Sequence, residues 1–287
     1  MTTTPITPRR LDSAVSGAAM QRPGLRKAVS DGWVVAWRNV IKIIRVPEVL
    51  VFVLISPIMF VLLFAYVFGG AIDPGAGVSY REFLIGGIFA QTVVFGATFT
   101  GAGIAEDMQK GIIDRFRSLP MSGSAVLVGR TASDVIYNLL SLIIMALTGL
   151  LVGWRMRGSL VDGLLGFLLL LLFAYAFSWV MGYVGLLVPS VEVINNASFI
   201  VIMPLTFVSN AFVPMQSFPD GLRSFVEWNP VSALTQAVRE LFGNTEPLGA
   251  AAWPMQHPVA YTLLWIGIIL LVFVPLSVRQ YRRAASR

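Results

Sequence analysis

Residues 164–188 read LLGFLLLLLFAYAFSWVMGYVGLLV and contain no Asp, Glu, Lys or Arg. A helix needs about 20 mainly apolar residues to cross the hydrocarbon core of a bilayer, because each residue adds only about 1.5 Å. This stretch therefore predicts a membrane-spanning helix. Five further runs fit the same pattern, at about 49–69, 83–103, 132–153, 196–213 and 259–277.

The fold class that follows is an all-α polytopic membrane protein with six transmembrane helices. The run at 196–213 is the weakest of the six, because it is short and contains Pro204. A proline inside a helix removes one main-chain hydrogen bond. Residues 1–30 predict a disordered cytoplasmic tail, and residues 31–287 predict a single transmembrane domain.

The composition agrees with this class and excludes several others. Of the 287 residues, 56% are hydrophobic and only 13% are charged, against about 25% charged in soluble proteins. The chain has no cysteine and only one histidine, which excludes disulfides and leaves no basis for a zinc site. We therefore predict no metal site and no catalytic residue.

The distribution of positive charge predicts the orientation and the surrounding partner. With both termini inside, the cytoplasmic segments hold 16 of the 21 Lys and Arg residues, as the positive-inside rule requires. The net charge of +6 comes from cations that flank apolar runs. We therefore expect anionic membrane lipid as the partner of these cations, and no nucleic acid.

Residues 31–45 predict an amphipathic helix before the first span. Trp33 and Trp37 lie on its apolar side, and its opposite side carries Arg38, Lys42 and Arg45. Such a helix suits the inner headgroup plane of the membrane. Docking on protein is the alternative, and the row of cations beside a membrane span favours the lipid interface.

Residues 214–258 form an outer segment that is far from polar. Two amphipathic helical faces flank Asn229 and Pro230, which suit the cap and first position of a helix, and Gly243 can end that helix. This pattern predicts a helical hairpin. Whether it re-enters the outer leaflet or lies on top of the spans stays open from the pattern alone.

Polar side chains recur along several of the predicted spans. Asn138 and Ser141 follow a stripe on the third span, Gln91 and Thr98 share a face of the second, and the fifth carries Thr206 and Ser209. A polar group in the hydrocarbon core needs a partner. These residues either form interhelical hydrogen bonds or line a cavity, and the pattern leaves both readings open.

The inner segment at 103–130, GIAEDMQKGIIDRFRSLPMSGSAVLVGR, is the most charged part of the chain between two spans. Apolar residues recur every four positions from Ile104 to Phe116, and Glu106 and Lys110 have the spacing of a helical ion pair. This predicts a helix that ends near Ser118, before Pro120. It is either a surface on which a soluble partner pushes or a well-capped loop.

The sequence lacks the residues with which this chain could itself drive transport, by ATP hydrolysis or by an ion gradient. Neither Lys27, Lys42 nor Lys110 follows a glycine, so the phosphate-binding P-loop motif is absent. No charged residue lies near the middle of a predicted span, and Asp134 and Glu82 lie at span ends. An ion-driven carrier is therefore disfavoured. A membrane scaffold or sensor subunit is a further alternative.

The stretch GIIDRFRSLPMSGSAVLVGR at 111–130 resembles the signature of ABC type-2 exporter permeases, especially the daunorubicin/doxorubicin resistance branch. Supporting stretches are RNVIKIIRVPEVL at 38–50, FVLISPIMFVLLFAYVFGGAI at 52–72 and the segment 204–244. The likeness covers nearly all of the chain after residue 31.

The resemblance implies a bacterial plasma-membrane exporter whose two permease copies work with two cytoplasmic ATPase subunits. A homodimer is expected, with the first and fifth spans near its axis and an outer re-entrant hairpin from Phe212 to Gly243. ATP and Mg²⁺ would bind to the partner ATPase, and this chain would bind no cofactor. Drugs, polyketides and lipids are among the family's substrates. The resemblance places the ATPase contact on the interface helix and on a coupling region with Glu106, Asp107, Lys110, Asp114, Arg115 and Arg117.

Overall fold

The computed structural model of the chain describes residues 55, 58–68, 79–111, 125–188, 190–245 and 251–284. Within these ranges the secondary structure is helical, and no β-strand occurs. In chain order the helices are α1 (Ile58–Val67), α2 (Tyr80–Gly96), α3 (Thr98–Gln109), α4 (Ala125–Val152), α5 (Leu160–Leu187), α6 (Val191–Phe207), α7 (Asp220–Trp228), α8 (Pro230–Phe242), α9 (Trp253–Gln256) and α10 (Pro258–Ala284).

Four apolar helical segments of the described chain are long enough to cross a membrane. They are Tyr80–Gln109, which joins α2 and α3, and then Val128–Val152, Leu160–Leu187 and Pro258–Tyr281. They correspond to the second, third, fourth and sixth predicted spans. Helix α5 packs against α3, α4, α8 and α10, so it lies at the centre of the bundle.

The fifth predicted span differs in its bounds. Helix α6 begins at Val191, where the Ser190 side chain caps it, and ends at Phe207 rather than at residue 213. The side-chain amide nitrogen of Asn229 donates hydrogen bonds of 2.7 Å to the main-chain carbonyls of Leu205 and Val208. These bonds satisfy carbonyls that a longer helix would have used, so the helix stops there. Its 17 residues span about 25 Å.

The first predicted span falls only partly within the described residues. Helix α1 is apolar and its last turn, Phe64–Phe68, is a π-helical turn. The rings of Phe60 and Phe64 stack on each other and lie close to Phe212, which follows α6. Aromatic contacts therefore join α1 to the segment that leads into the hairpin.

The predicted helical hairpin is present, as α7 and α8. The side-chain oxygen of Asn229 accepts a hydrogen bond from the Val231 main-chain amide at 2.8 Å, and Gly243 ends α8 with φ of 69°. Both ends of α8 were therefore correctly predicted, because they depend on local capping chemistry. Helix α8 is buried along most of its length.

Aromatic side chains bind the C-terminal end of α8 into the bundle. The Phe242 ring contacts the rings of Phe89, Trp154 and Phe167 at centroid distances of 5.8, 5.4 and 5.1 Å. The Trp154 indole nitrogen donates a hydrogen bond of 2.7 Å to the Asn244 side chain. These contacts join α2, α5, α8 and the turn after α4.

Arg239 is the charged group that fixes the hairpin against α2. Its side chain is fully buried, and its guanidinium lies 3.4 Å from the centroid of the Phe83 ring. It donates to the carbonyl of Phe83 at 2.7 Å and to those of Asn210 and Ala211 at 2.8 and 2.9 Å. Charge-assisted hydrogen bonds to three carbonyls offset the cost of burying the cation.

We predict that Arg239→Met lowers the free energy of unfolding by about 3 kcal/mol, because buried carbonyls lose their donor. The measurement is thermal unfolding of the purified protein in detergent. The matched control is Arg223→Met on α7, whose ion pair with Glu227 is partly exposed, so its effect should stay below about 1 kcal/mol. Equal melting temperatures for both variants would contradict this role of Arg239.

Candidate functional site

A cavity of about 600 Å³ lies between α1, α2, α3, α4 and α6. Most of its wall is apolar, and its aromatic lining residues are Phe60, Phe95, Phe99, Tyr137 and Phe199. Pockets for small organic molecules in proteins typically have this volume and mostly apolar walls with a few polar groups. The cavity is therefore suited to a ring-containing organic molecule.

A few polar groups interrupt the apolar wall. Gln91, Thr98 and Ser141, which the sequence analysis singled out, line the cavity, and so does Ser198. The hydroxyls of Thr98 and Ser198 are buried and have no hydrogen-bond partner among the residues that the structure describes. Both hydroxyls therefore remain unpaired polar groups behind the surface of the cavity wall.

Three other polar residues of the sequence analysis lie away from the cavity. Asn138, Thr206 and Ser209 each donate a hydrogen bond to a main-chain carbonyl three or four residues earlier, at 2.8, 2.7 and 2.5 Å. Of the polar stripe on α4, Ser141 lines the cavity and Asn138 packs against α2. The hydrogen bond of Asn138 lies within α4 and does not join two helices, so the stripe places one residue at the cavity and one in a packed contact.

The cavity wall includes an irregular turn between α2 and α3. Ala97 separates the two helices, and the Thr100 amide bonds to the Ala97 carbonyl at 3.1 Å, which is a bond of the 3₁₀ type. A Cβ on Gly96 would lie 2.6 Å from the Asn138 side-chain oxygen, so α4 approaches very closely here. Short 3₁₀ stretches inside long helices often mark hinges.

The cytoplasmic end of α3, in the predicted topology, carries Glu106, Asp107 and Lys110. The Lys110 ammonium donates to the Glu106 carboxylate at 2.5 Å, which confirms the predicted pair. This hydrogen bond, and then the charge of Glu106, raise the pKa of Lys110 above its usual value. Lys110 therefore stays protonated at neutral pH and pairs with Glu106 at the end of the helix.

The predicted helix to Ser118 is interrupted after Gln109, and its remaining residues 112–118 lie outside the described residues. Helix α3 ends at Gln109, and Gly111 follows with φ of 62°, a left-handed conformation that terminates helices. The other coupling residues Asp114, Arg115 and Arg117 lie outside the described residues. So do the predicted tail and the interface-helix residues Trp33, Trp37, Arg38, Lys42 and Arg45.

A cluster of polar side chains that the sequence did not predict lies between the cavity and the charged end of α3. We call Thr100, Arg130 and Asp134 the inner polar cluster. Asp134 was placed near a span end, but α4 begins at Ala125, so Asp134 lies more than two turns inside the helix and is buried. The spacing of Arg130 and Asp134 by four residues was the available signal.

The sequence model of the ABC-2 type transporter family matches residues 31–242. The chain belongs to the ABC-2 type transporter family. This match covers the residues that line the cavity and the charged end of α3, and it confirms the resemblance found from the sequence. The helical fold with its apolar, membrane-length helices agrees with membership of this membrane-embedded family.

Relatives of this chain include permeases that are named for drug resistance. A daunorubicin resistance ABC transporter permease, DrrB1 of Streptomyces coeruleorubidus, is 33% identical over 92% of this chain and 90% of its own length. A probable doxorubicin resistance permease, DrrC of Mycobacterium tuberculosis, is 24% identical over 81% of each chain. A putative transport permease, ycf38 of Porphyra purpurea, is 23% identical over 73% of this chain and 72% of its own.

We predict that the cavity admits small reagents. The chain has no native cysteine, so Ser198→Cys provides a single thiol on the cavity wall. It should react with a small methanethiosulfonate reagent at least about tenfold faster than Ser178→Cys, because access to reagent controls the reactivity of a thiol. Ser178 is similarly buried but does not line the cavity. Equal rates for the two thiols would show that the cavity is closed.

Proposed function

We propose that this chain is the permease subunit of an ATP-driven exporter that moves a hydrophobic small molecule outward across a bacterial plasma membrane. The family and its relatives support the permease part of the proposal. The observation that carries the transport part is the cavity, because it combines aromatic walls with two unpartnered hydroxyls among apolar helices, some of them long enough to cross a membrane.

The energy source in this proposal is a separate cytoplasmic ATPase. The sequence lacks a P-loop, so ATP and Mg²⁺ would bind to the partner subunit and not to this chain. The charged end of α3 with Glu106, Asp107 and Lys110, together with Asp114, Arg115 and Arg117 beyond it, would receive the ATPase. The interface helix at 31–45 would provide a second contact.

The complete exporter would contain two permease copies and two ATPase subunits, with both permease termini in the cytoplasm. Six spans per copy require that α1 and α6 cross the membrane together with the four longer helical segments. Both helices expose apolar side chains, among them Met59 and Leu63 on α1, and Phe199 and Ile200 on α6. These faces suit a second copy of the chain at a central axis and lipid elsewhere.

The hairpin of α7 and α8 would re-enter the outer leaflet. Helix α8 is buried among α2, α5 and α10, at the outer end of the bundle in the predicted topology. Helix α7 exposes Leu222, Phe225 and Trp228, which suit the boundary between lipid and water. In the proposed transport cycle, this hairpin closes the cavity toward the outside.

The proposal predicts that uptake into liposomes, by complexes inserted with their ATPase side outward, requires both the ATPase and ATP hydrolysis. The measurement uses a panel of fluorescent hydrophobic compounds that includes daunorubicin, with permease alone, permease plus ATPase, and ATP or a non-hydrolysable analogue. A proton ionophore should leave uptake unchanged at constant ATP, because no ion gradient drives it. Equal uptake without the ATPase would refute the proposal, and collapse with ionophore would favour an ion-driven carrier.

A cavity-filling variant separates transport through the cavity from a role as scaffold. Ser198→Phe should lower uptake at least about tenfold while ATPase binding is unchanged, because the added ring occupies the cavity. The matched control is Leu271→Phe on the exposed face of α10. Normal uptake by Ser198→Phe would place the transport path elsewhere.

We further predict that Asp114→Ala and Arg117→Ala weaken copurification with the ATPase while membrane insertion remains normal. The reason is their position on the charged inner segment between the second and third spans. Arg223→Ala, in the hairpin on the opposite side of the predicted topology, is the control and should not alter copurification. Unchanged copurification and efflux in both inner variants would remove these residues from the contact.

A further inference from the structure

The inner polar cluster joins α3 to α4 by side-chain contacts. The Thr100 hydroxyl donates a short hydrogen bond to one oxygen of the Asp134 carboxylate. Arg130 lies one turn before Asp134, with its Nε 4.0 Å from the other carboxylate oxygen. A second nitrogen of Arg130 donates to the Phe99 carbonyl at 3.0 Å. A side chain of α3 thus holds the carboxylate on α4, and a side chain of α4 holds a main-chain carbonyl on α3.

The contact between the two helices is close as well as polar. The Arg130 guanidinium lies directly over Gly103, in space that a Cβ at this position would occupy. Any other residue at Gly103 would displace the guanidinium from the Phe99 carbonyl. The glycine therefore permits an arginine on α4 to reach the main chain of α3.

The inner polar cluster lies between the cavity and the charged end of α3. On α3, Thr98 and Phe99 line the cavity just before Thr100, and Glu106 and Lys110 follow it toward the end of the helix. On α4, Tyr137 lines the cavity one turn after Asp134, and its ring lies 5.5 Å from that of Phe99. A displacement of α3 would therefore reach both walls of the cavity through these contacts.

The remaining contacts of α3 are of a different kind. Helix α3 packs more extensively on α5 and α6 than on α4. At its contact with α5, a Cβ on Gly101 or Gly185 would lie within 2.8 Å of main chain on the other helix, so these glycines let the two helices approach closely. Beside them, Ile104 of α3 packs with Trp179 and Leu186 of α5, and this contact is apolar. The tie to α4 depends instead on three specific side chains.

From this arrangement we propose that the inner polar cluster is the joint that makes the inner part of α4 follow α3 when the ATPase moves the cytoplasmic loop. Thr100, Arg130 and Asp134 act as positioning residues that link ATP hydrolysis to the shape of the cavity. The hinge is the 3₁₀ turn at Ala97, above which α2 is held by Arg239. This inference rests on the proposed function and adds the residues that carry the coupling.

The test compares two substitutions at one position in the reconstituted complex of permease and ATPase. Thr100→Val removes the hydroxyl with little change in volume, and Thr100→Ser retains it. The readout is the number of molecules transported per ATP hydrolysed, measured with the fluorescent compound that the wild-type complex transports fastest. We expect Thr100→Val to lower this ratio at least about fivefold, in keeping with the loss of a hydrogen bond to a charged group. Thr100→Ser should restore it.

Two further measurements distinguish a joint from a structural or ligand-binding role. In Thr100→Val the complex should still assemble and the dissociation constant of the compound should stay close to wild type, although the buried carboxylate loses a hydrogen bond and the melting temperature falls by a few degrees. Thr148→Val is the matched control, because the Thr148 hydroxyl bonds only within α4, at 2.9 Å to the Ile144 carbonyl. Asp134→Asn provides a second variant of the same joint and should lower the coupling ratio in the same direction.

The outcomes separate this inference from the proposed function. A wild-type complex without ATP-dependent transport would reject the proposed function, and the joint with it. Normal wild-type transport with an unchanged ratio in Thr100→Val and Asp134→Asn would reject the joint alone. Weaker binding of the compound at an unchanged ratio would make Thr100 a ligand contact, and loss of assembly in both variants would make the cluster structural; either result overturns the proposal.

Discussion

The close packing of one buried helical segment constrains the rest of this structure. The segment Tyr80–Gln109 is 78% buried, whereas the other three membrane-length segments are between 22% and 50% buried. Its glycines bring neighbours into contact with its main chain, at Gly87 the carbonyl of Ala211 and at Gly101 the main chain of α5. Because protein interiors are close-packed, any shift of this segment must be accommodated at the surfaces of the neighbours that it contacts.

Different interactions hold the two halves of this segment. On α2, the Arg239 guanidinium bonds to the Phe83 carbonyl and so fixes the hairpin at one end. On α3, the inner polar cluster fixes α4, while the contact with α5 consists of glycines and apolar side chains. The 3₁₀ turn at Ala97 separates the halves beside the cavity. This division supports the proposed function, because a force at the charged end of α3 would bend the chain where a ligand would lie.

The sequence predicted those features that depend on local chemistry. Apolar runs indicated the membrane-length helices, the pair of Asn229 and Pro230 indicated the start of α8, and four-residue spacing indicated the pair of Glu106 and Lys110. Each of these signals lies within one helix or one turn. The family resemblance carried the assignment to ABC-2 permeases, which hydropathy alone does not provide.

Features that depend on contacts between distant segments were missed. Arg239 lies 156 residues from Phe83, so nothing local showed that this arginine is buried. The cavity combines residues of five helices, and periodicity on one helix does not distinguish Ser141, which lines it, from Asn138, which does not. Helix α3 ends at Gln109 although the apolar period continues in the sequence, because Gly111 adopts a left-handed conformation.

The most direct test of the account is a pair of label distances in the permease–ATPase complex, with labelled copies diluted into unlabelled ones. Cysteines at Gln109 and Val128 report on α3 relative to α4, and cysteines at Gln109 and Leu187 report on α3 relative to α5. When ATP is trapped on the ATPase, we predict that the second distance changes while the first stays constant. A constant second distance, or a change in the first alone, would contradict mechanical coupling through α3.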